Sequence, residues 1–165
     1  MSLRGLFQAL AYITLHRDEI AFLDVFRGTT ISGPPLMAIS NALPRRVIGV
    51  FGDAREAHAR EASILINPFE NPRSLISDDV IAQQMVKYGM KLLSDPLLLR
   101  PRPSVVIHPL VVPEGGFTNS DIRAFRDLAS VVDPARTIVW QGPRLTCKQL
   151  ASNAFPAEGR VLLRE

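Results

Sequence analysis

Near the start of the chain, apolar residues alternate with polar ones in short runs. In "ITLHRDEIAFLDV", residues 13–25, Ile13, Leu15, Ile20, Phe22 and Val25 lie on either side of the charged group His16-Arg17-Asp18-Glu19. A period of two predicts strands, here over 11–16 and 19–26, joined by a turn. That turn contains no Gly, Asn or Pro, the residues tight reversals usually call on. "RGTTIS" leads into a third strand at about 29–33, and "GPP" interrupts the chain before "LMAIS". The opening is therefore expected to be a β-meander. Ahead of it, Leu3, Leu6, Phe7 and Leu10 would share one face of a helix, which Gly5 weakens. Residues 1–10 are expected as an amphipathic N-terminal segment, and 11–165 as a single domain.

After the meander the period changes. "RRVIGVFGD" predicts a strand ending in a Gly-Asp turn, and "AREAHAREAS" a helix rich in Ala, Glu and Arg. "NPFENP" breaks the chain twice with proline. Ser77-Asp78-Asp79 should cap the helix "DDVIAQQMVKYGMKLL", with Val80, Ile81, Met85, Tyr88 and Leu92 as its apolar face. "SDPLLLRPRP" reads as a linker. "SVVIHPLVV" is a continuous β-branched run, expected as a strand buried on both faces. "PEGGFTN" predicts a loop. Ser120 or Asn119 should cap "DIRAFRDLASVV", whose Ile122, Phe125, Leu128 and Ala129 point inward. "RTIVW" predicts another buried strand, "LTCKQLASNAF" a last helix and "RVLLRE" a short strand. A meander followed by strand–helix–strand–helix implies an α/β class, a mixed sheet flanked by helices.

Composition narrows the function classes. The 165 residues suit one domain with a sizeable core. Net charge is +3, from 19 basic and 16 acidic residues. The charges are dispersed, which gives no footprint for nucleic acid. The single cysteine, Cys147, cannot form an intrachain disulfide; with no base near it in sequence, a buried inert thiol is expected. The histidines, His16, His58 and His108, have no metal-ligand spacing. His108 is expected as a satisfied core or strand-end residue and His58 as an exposed one. "PEGGF" lacks the Gly-Lys-Ser/Thr sequel of a P-loop. With no apolar run long enough to span a bilayer and no cleavage signature, a cytoplasmic protein is expected.

The order of these words resembles the first half of MreB, the bacterial actin-like rod-shape-determining family. "RGLF" before a hairpin is similar to that family's start. "GPPLMAIS" resembles its N-E-P-S-V-V-A-I, and "RPRPSVVIHPL" its R-P-x-V-V-I-x-V-P. "INPFENPRSLISDDVIAQQMVKY" and "DIRAFRDLASVVDPARTIVWQGP" follow its helix and strand pattern. The resemblance implies an actin-like, ribonuclease H-like fold. Its first hairpin reads I-D-L-G-T-A-N-T, a Gly-containing turn whose backbone N–H groups approach the phosphates of ATP. Here Thr14 stands at the position of the Asp and His16 at that of the Gly, followed by Arg17. Asp18 and Glu19 add negative charge. The family's Glu-Glu-Pro reads Gln141-Gly142-Pro143, and a glutamine cannot take a proton from water. The family's second half carries another phosphate loop and the adenine pocket, for which the chain has no counterpart.

These departures make Thr14, His16, Arg17, Asp18 and Gln141 positions of a degenerate nucleotide site, with no catalytic residue, metal or cofactor expected. A non-catalytic cytoskeletal or cell-shape module follows as the expectation. It would self-assemble as a homo-oligomer or dock on another actin-like filament protein. The alternative is an Mg-ATP-dependent polymerising ATPase whose second half is missing from this chain or supplied by a partner, and a third reading is a shared fold alone. Leu3, Arg4, Leu6, Phe7 and Leu10 form a candidate contact with the inner face of the cell membrane, weighed against packing on the protein's own sheet. Trp140 and Phe155, with "PLLL", are candidates for a partner interface, weighed against core packing.

Overall fold

The computed structural model describes residues 9–71, 73–94 and 102–165. Two sheets organise the chain. The larger has six strands. Its meander is β1 (Leu10–Leu15), β2 (Ile20–Asp24) and β3 (Thr29–Gly33). The smaller contains β4 (Met37–Ser40), β5 (Val47–Val50) and β6 (Ser63–Ile66), with α1 (Gly52–Arg60) between the last two. After α2 (Asp79–Leu93), the chain returns to the large sheet as β7 (Ser104–Pro109). It continues through α3 (Asn119–Ser130), β8 (Arg136–Gln141), α4 (Cys147–Ser152) and β9 (Arg160–Arg164).

The large sheet runs β3-β2-β1-β7-β8-β9, and the small one β5-β4-β6. β1 is antiparallel to β2 and parallel to β7; β7 is parallel to β8, and β9 closes the edge antiparallel. The expected mixed sheet that opens with a meander is thus present. Alternation along β1 divides its side chains between two cores. Ile13 and Leu15 pack under α2 and α3 with Phe22, Ile107, Met85 and Phe125. Tyr12 packs on the other face with Val106, Ile138, Trp140 and Leu150 of α4. β7 is buried along nearly its whole length, as its unbroken apolar run implied.

Several expectations need correction. Leu10 opens β1, paired with Ser104, and is not part of a helical segment. Leu3, Arg4, Leu6 and Phe7, with all of "PLLL", lie outside the described residues. β6 was not foreseen, and with it the second sheet. α2 turns a different face inward: Ile81, Ala82, Met85, Val86, Gly89, Met90 and Leu93 are buried, while Val80, Tyr88 and Leu92 are exposed. Asp78 caps this helix through Ile81 N. Thr118, not Asn119 or Ser120, caps α3. Its Oγ1 accepts from Asp121 N at 3.2 Å, and Asp121 Oδ2 accepts from Thr118 N at 2.8 Å, a reciprocal capping box. α4 is shorter than expected, and Cys147 at its start is exposed.

Candidate functional site

Strands β1, β7 and β8 are parallel, so their carboxyl ends share one edge of the sheet. That edge is where open α/β sheets place ligands. It carries the 16–19 turn after β1, Pro109 and Leu110 after β7, and Gln141 to Leu145 after β8. The sequence-predicted positions therefore come together here as a group.

The turn satisfies itself. His16 N donates to Glu19 O at 2.9 Å. Asp18 N donates to the His16 ring Nδ1 at 3.2 Å, and the Asp18 carboxylate lies 3.6 Å from that same nitrogen. From outside the turn, Asn67 Nδ2 donates to Arg17 O at 2.9 Å, tying the hairpin to the loop after β6. Asn67 also accepts from Phe69 N, so it is held in place. Thr14 is buried in β1, between Ala21 and His108. A polyphosphate at this turn would find the N–H groups of His16 and Asp18 already used. It would also meet the exposed carboxylates of Asp18 and Glu19.

Beside the turn, a cleft of about 380 Å³ is lined by Pro109, Leu110 and Val112 on one side and Gln141, Glu158 and Arg160 on the other. Gln141 pairs with Arg160 across the β8–β9 ladder, and its Oε1 accepts from Arg160 Nε at 3.2 Å. The amide at the family's acidic position is thus engaged by a guanidinium that the sequence reading did not connect with it.

Behind the cleft lies a buried polar chain, also missed. His108 is 1% exposed. Tyr12 OH donates to His108 Nδ1 at 2.5 Å, and His108 Nε2–H donates to Gly142 O at 3.0 Å. Leu145 N donates to Tyr12 OH at 3.2 Å. Every polar atom is satisfied only if the imidazole is neutral. Burial lowers the His108 pKa to about 4, with the Arg144 charge adding to it against the opposing Gly142 hydrogen bond. Burial likewise raises the Tyr12 pKa. His108 is the satisfied core histidine expected, and it pins the 142–145 loop to the sheet.

Trp140, read as a candidate for a partner interface, lies inside the chain's own core. It is 1% exposed, and its Nε1 donates to Pro143 O at 2.9 Å. The ring sits against half-buried Phe155, centroids 5.1 Å apart. A Cβ on Gly159 would meet it at 2.4 Å. The aromatic is walled in by its own loop, which its place at a strand end did not reveal. Among the described residues, no group of three or more His, Cys, Asp or Glu could hold a metal ion, and no helix is long and apolar enough to cross a membrane.

A meander joined to parallel β7 and β8, with helices α2 and α3 on one face and a small sheet inserted between β3 and α2, is an actin-like fold. Two solved structures show the likeness. MreB5 of Spiroplasma citri bound to AMPPNP is 18% identical, with a TM-score of 0.59 over 79% of this chain and 38% of that one. The same protein bound to ADP is 18% identical, with a TM-score of 0.56 over 79% and 37%. The chain thus spans less than two fifths of the length of these structures, and at this identity the likeness is one of fold. No protein-family model matches the chain, and no curated protein matches it.

Proposed function

We propose that this chain is a non-catalytic, MreB-like module that acts by binding. It self-assembles as a homo-oligomer or docks on another actin-like filament protein, in the cytoplasm and at the inner face of the membrane. One observation carries the reading. At the edge where an actin-like fold would present phosphate-binding N–H groups, the turn bonds its own, and Gln141 is tied to Arg160. The scaffold is kept, while the N–H groups of His16 and Asp18 that a nucleotide phosphate would need are engaged within the turn.

Calorimetric titration with Mg-ATP tests the first half of this. No saturable heat is expected; a Kd below about 100 μM, near 5.5 kcal/mol, would refute it. Co-sedimentation with a full-length actin-like filament protein, or pelleting of the chain alone, tests the second half. A chain that stays in the supernatant across salt conditions would refute that part.

A second reading has its own support. Both similar structures hold an adenine nucleotide. Under this reading the chain belongs to an ATP-dependent polymerising ATPase whose remaining site comes from elsewhere. Phosphate release above background, by the chain with its partner, would decide for it.

A further inference from the structure

The small sheet has an apolar row that its own helix leaves open. α1 packs on one face, against Leu36, Ala38 and Leu65. The other face begins inside the main core with Val50, Met37 and Ile66, which are register partners across the three strands. One row further out, Val47, Ile39 and Ile64 are partners again. Val47 and Ile64 are each 43% exposed. Beyond that row the chain turns through residues 41–46, all exposed, and Leu43 at this tip is 87% exposed. A single exposed leucine means little, but a tip leucine adjoining an apolar row is a patch.

The charge around the tip is one-sided. Arg45 and Arg46 follow Leu43, and no carboxylate occurs in 41–47. The nearest acid, Glu61, is engaged at the base: it accepts from Ser40 Oγ at 2.5 Å and pairs with Arg46 at 3.5 Å. Arg45 makes no ion pair among the described residues. The tip is also held in shape. Ser40 N donates to Arg46 O at 2.9 Å, Asn41 N to Ala62 O at 3.0 Å and Ala42 N to Ser40 Oγ at 3.1 Å. A fixed, protruding leucine backed by arginines matches a surface that is apolar below and anionic above. A protein-binding patch of this size generally centres on an aromatic, and residues 36–50 contain none.

We propose that this tip docks on an anionic lipid bilayer. Leu43 enters the headgroup boundary, Arg45 and Arg46 lie against lipid phosphates, and the Val47–Ile39–Ile64 row rests on the surface. This deepens the membrane part of the reading above and is independent of its self-assembly part.

The test is flotation of the full chain with phosphatidylglycerol-containing vesicles and with pure phosphatidylcholine, at low and high salt. Binding to the anionic vesicles, weakening with salt, is expected. Leu43→Ser should lower it at least about fivefold through lost apolar burial, and Arg45→Gln about fivefold at low salt. Both side chains are exposed, so the fold is retained, which circular dichroism checks. A parent chain that does not float overturns the proposal, as does unchanged binding by Leu43→Ser. So does a Leu6→Ser variant that alone abolishes binding, because the contact would then lie in the N-terminal segment. If Leu43→Ser instead alters pelleting without lipid, the patch is a protein contact and the proposal also fails. A parent chain that pellets without lipid but does not float sinks this proposal and leaves the self-assembly reading standing, whereas Leu43→Ser that loses flotation and keeps its lipid-free pelleting supports it.

Discussion

Gly89, in the middle of α2, sets two familiar effects against each other. In an exposed helix, Gly→Ala would stabilise by about 1 kcal/mol, because alanine loses less backbone freedom. Here the added Cβ would stand 2.3 to 2.7 Å from three ring atoms of Phe22. Carbon atoms in contact normally lie about 3.5–4.0 Å apart, so the overlap exceeds an ångström. Phe22 cannot swing away easily, since it is fully buried and Phe51 lies against it at 5.8 Å between centroids. Overpacking of this kind costs about 1–3 kcal/mol, and more where neither side can shift. The large overlap puts the cost at the upper end, so Gly89→Ala should destabilise by roughly 2 kcal/mol after the helix gain is subtracted. Urea unfolding followed by circular dichroism measures this, with an accompanying fall in Tm of roughly 4–8 °C. Adding Phe22→Leu should recover part of the loss, because it removes the ring that clashes. A Gly89→Ala chain as stable as the parent would refute the packing argument for α2.

Other outcomes follow from the buried chain, the caps and the cleft. His108 is neutral in the fold with a pKa near 4, below its unfolded 6.5, so its contribution is fully present above pH 6.5. It should be lost as pH falls from there toward 4, by at most roughly 3 kcal/mol; a His108→Gln variant should show a flatter fall of stability with acid. Tyr12→Phe leaves His108 Nδ1 and Leu145 N without their partner. It should cost about 1–3 kcal/mol in urea unfolding and speed amide exchange at Leu145. Thr118→Ala removes one half of the α3 capping box and should cost about 1 kcal/mol by the same assay. Gln141→Glu restores a carboxylate at the family's acidic position. Phosphate release from Mg-ATP should nevertheless stay at background, because the 16–19 turn is unchanged; any turnover would argue for the ATPase reading.

The meander was legible because Ile13, Leu15, Ile20 and Phe22 recur at a spacing of two on either side of the charged group 16–19, although β1 proved to be buried on both faces. β7 and β8 were legible as unbroken β-branched runs. β6 was not, because Ser63–Ile66 offers four residues next to a proline break, too few to show a period. The face of α2 was misread for a related reason. Apolar residues surround that helix, and the side it buries includes Gly89, which carries no hydrophobic signal but admits the Phe22 ring. The cap of α3 was hidden in "TNSD", four capping residues in a row, although the Thr118–Asp121 spacing held the answer. At the site, the weak points of a phosphate turn could be read from His16, Asp18 and Glu19. The partners that close it could not, since Asn67 and Arg160 reach it only through the fold.

The pairing of β1 with β7 also shapes how the chain reaches this state. Tyr12 and His108 are 96 positions apart, yet they are neighbours on the two central strands. The middle of the sheet therefore closes only after the whole small sheet and α2 have been made. Such distant pairing carries a large loop-closure entropy and slows folding. During synthesis, β1 and β2 would emerge with Ile13, Leu15 and Phe22 uncovered, while the strand that completes their sheet is still to come. The cell must therefore shelter a half-built apolar surface, so the yield of native protein should depend on chaperone supply and translation speed.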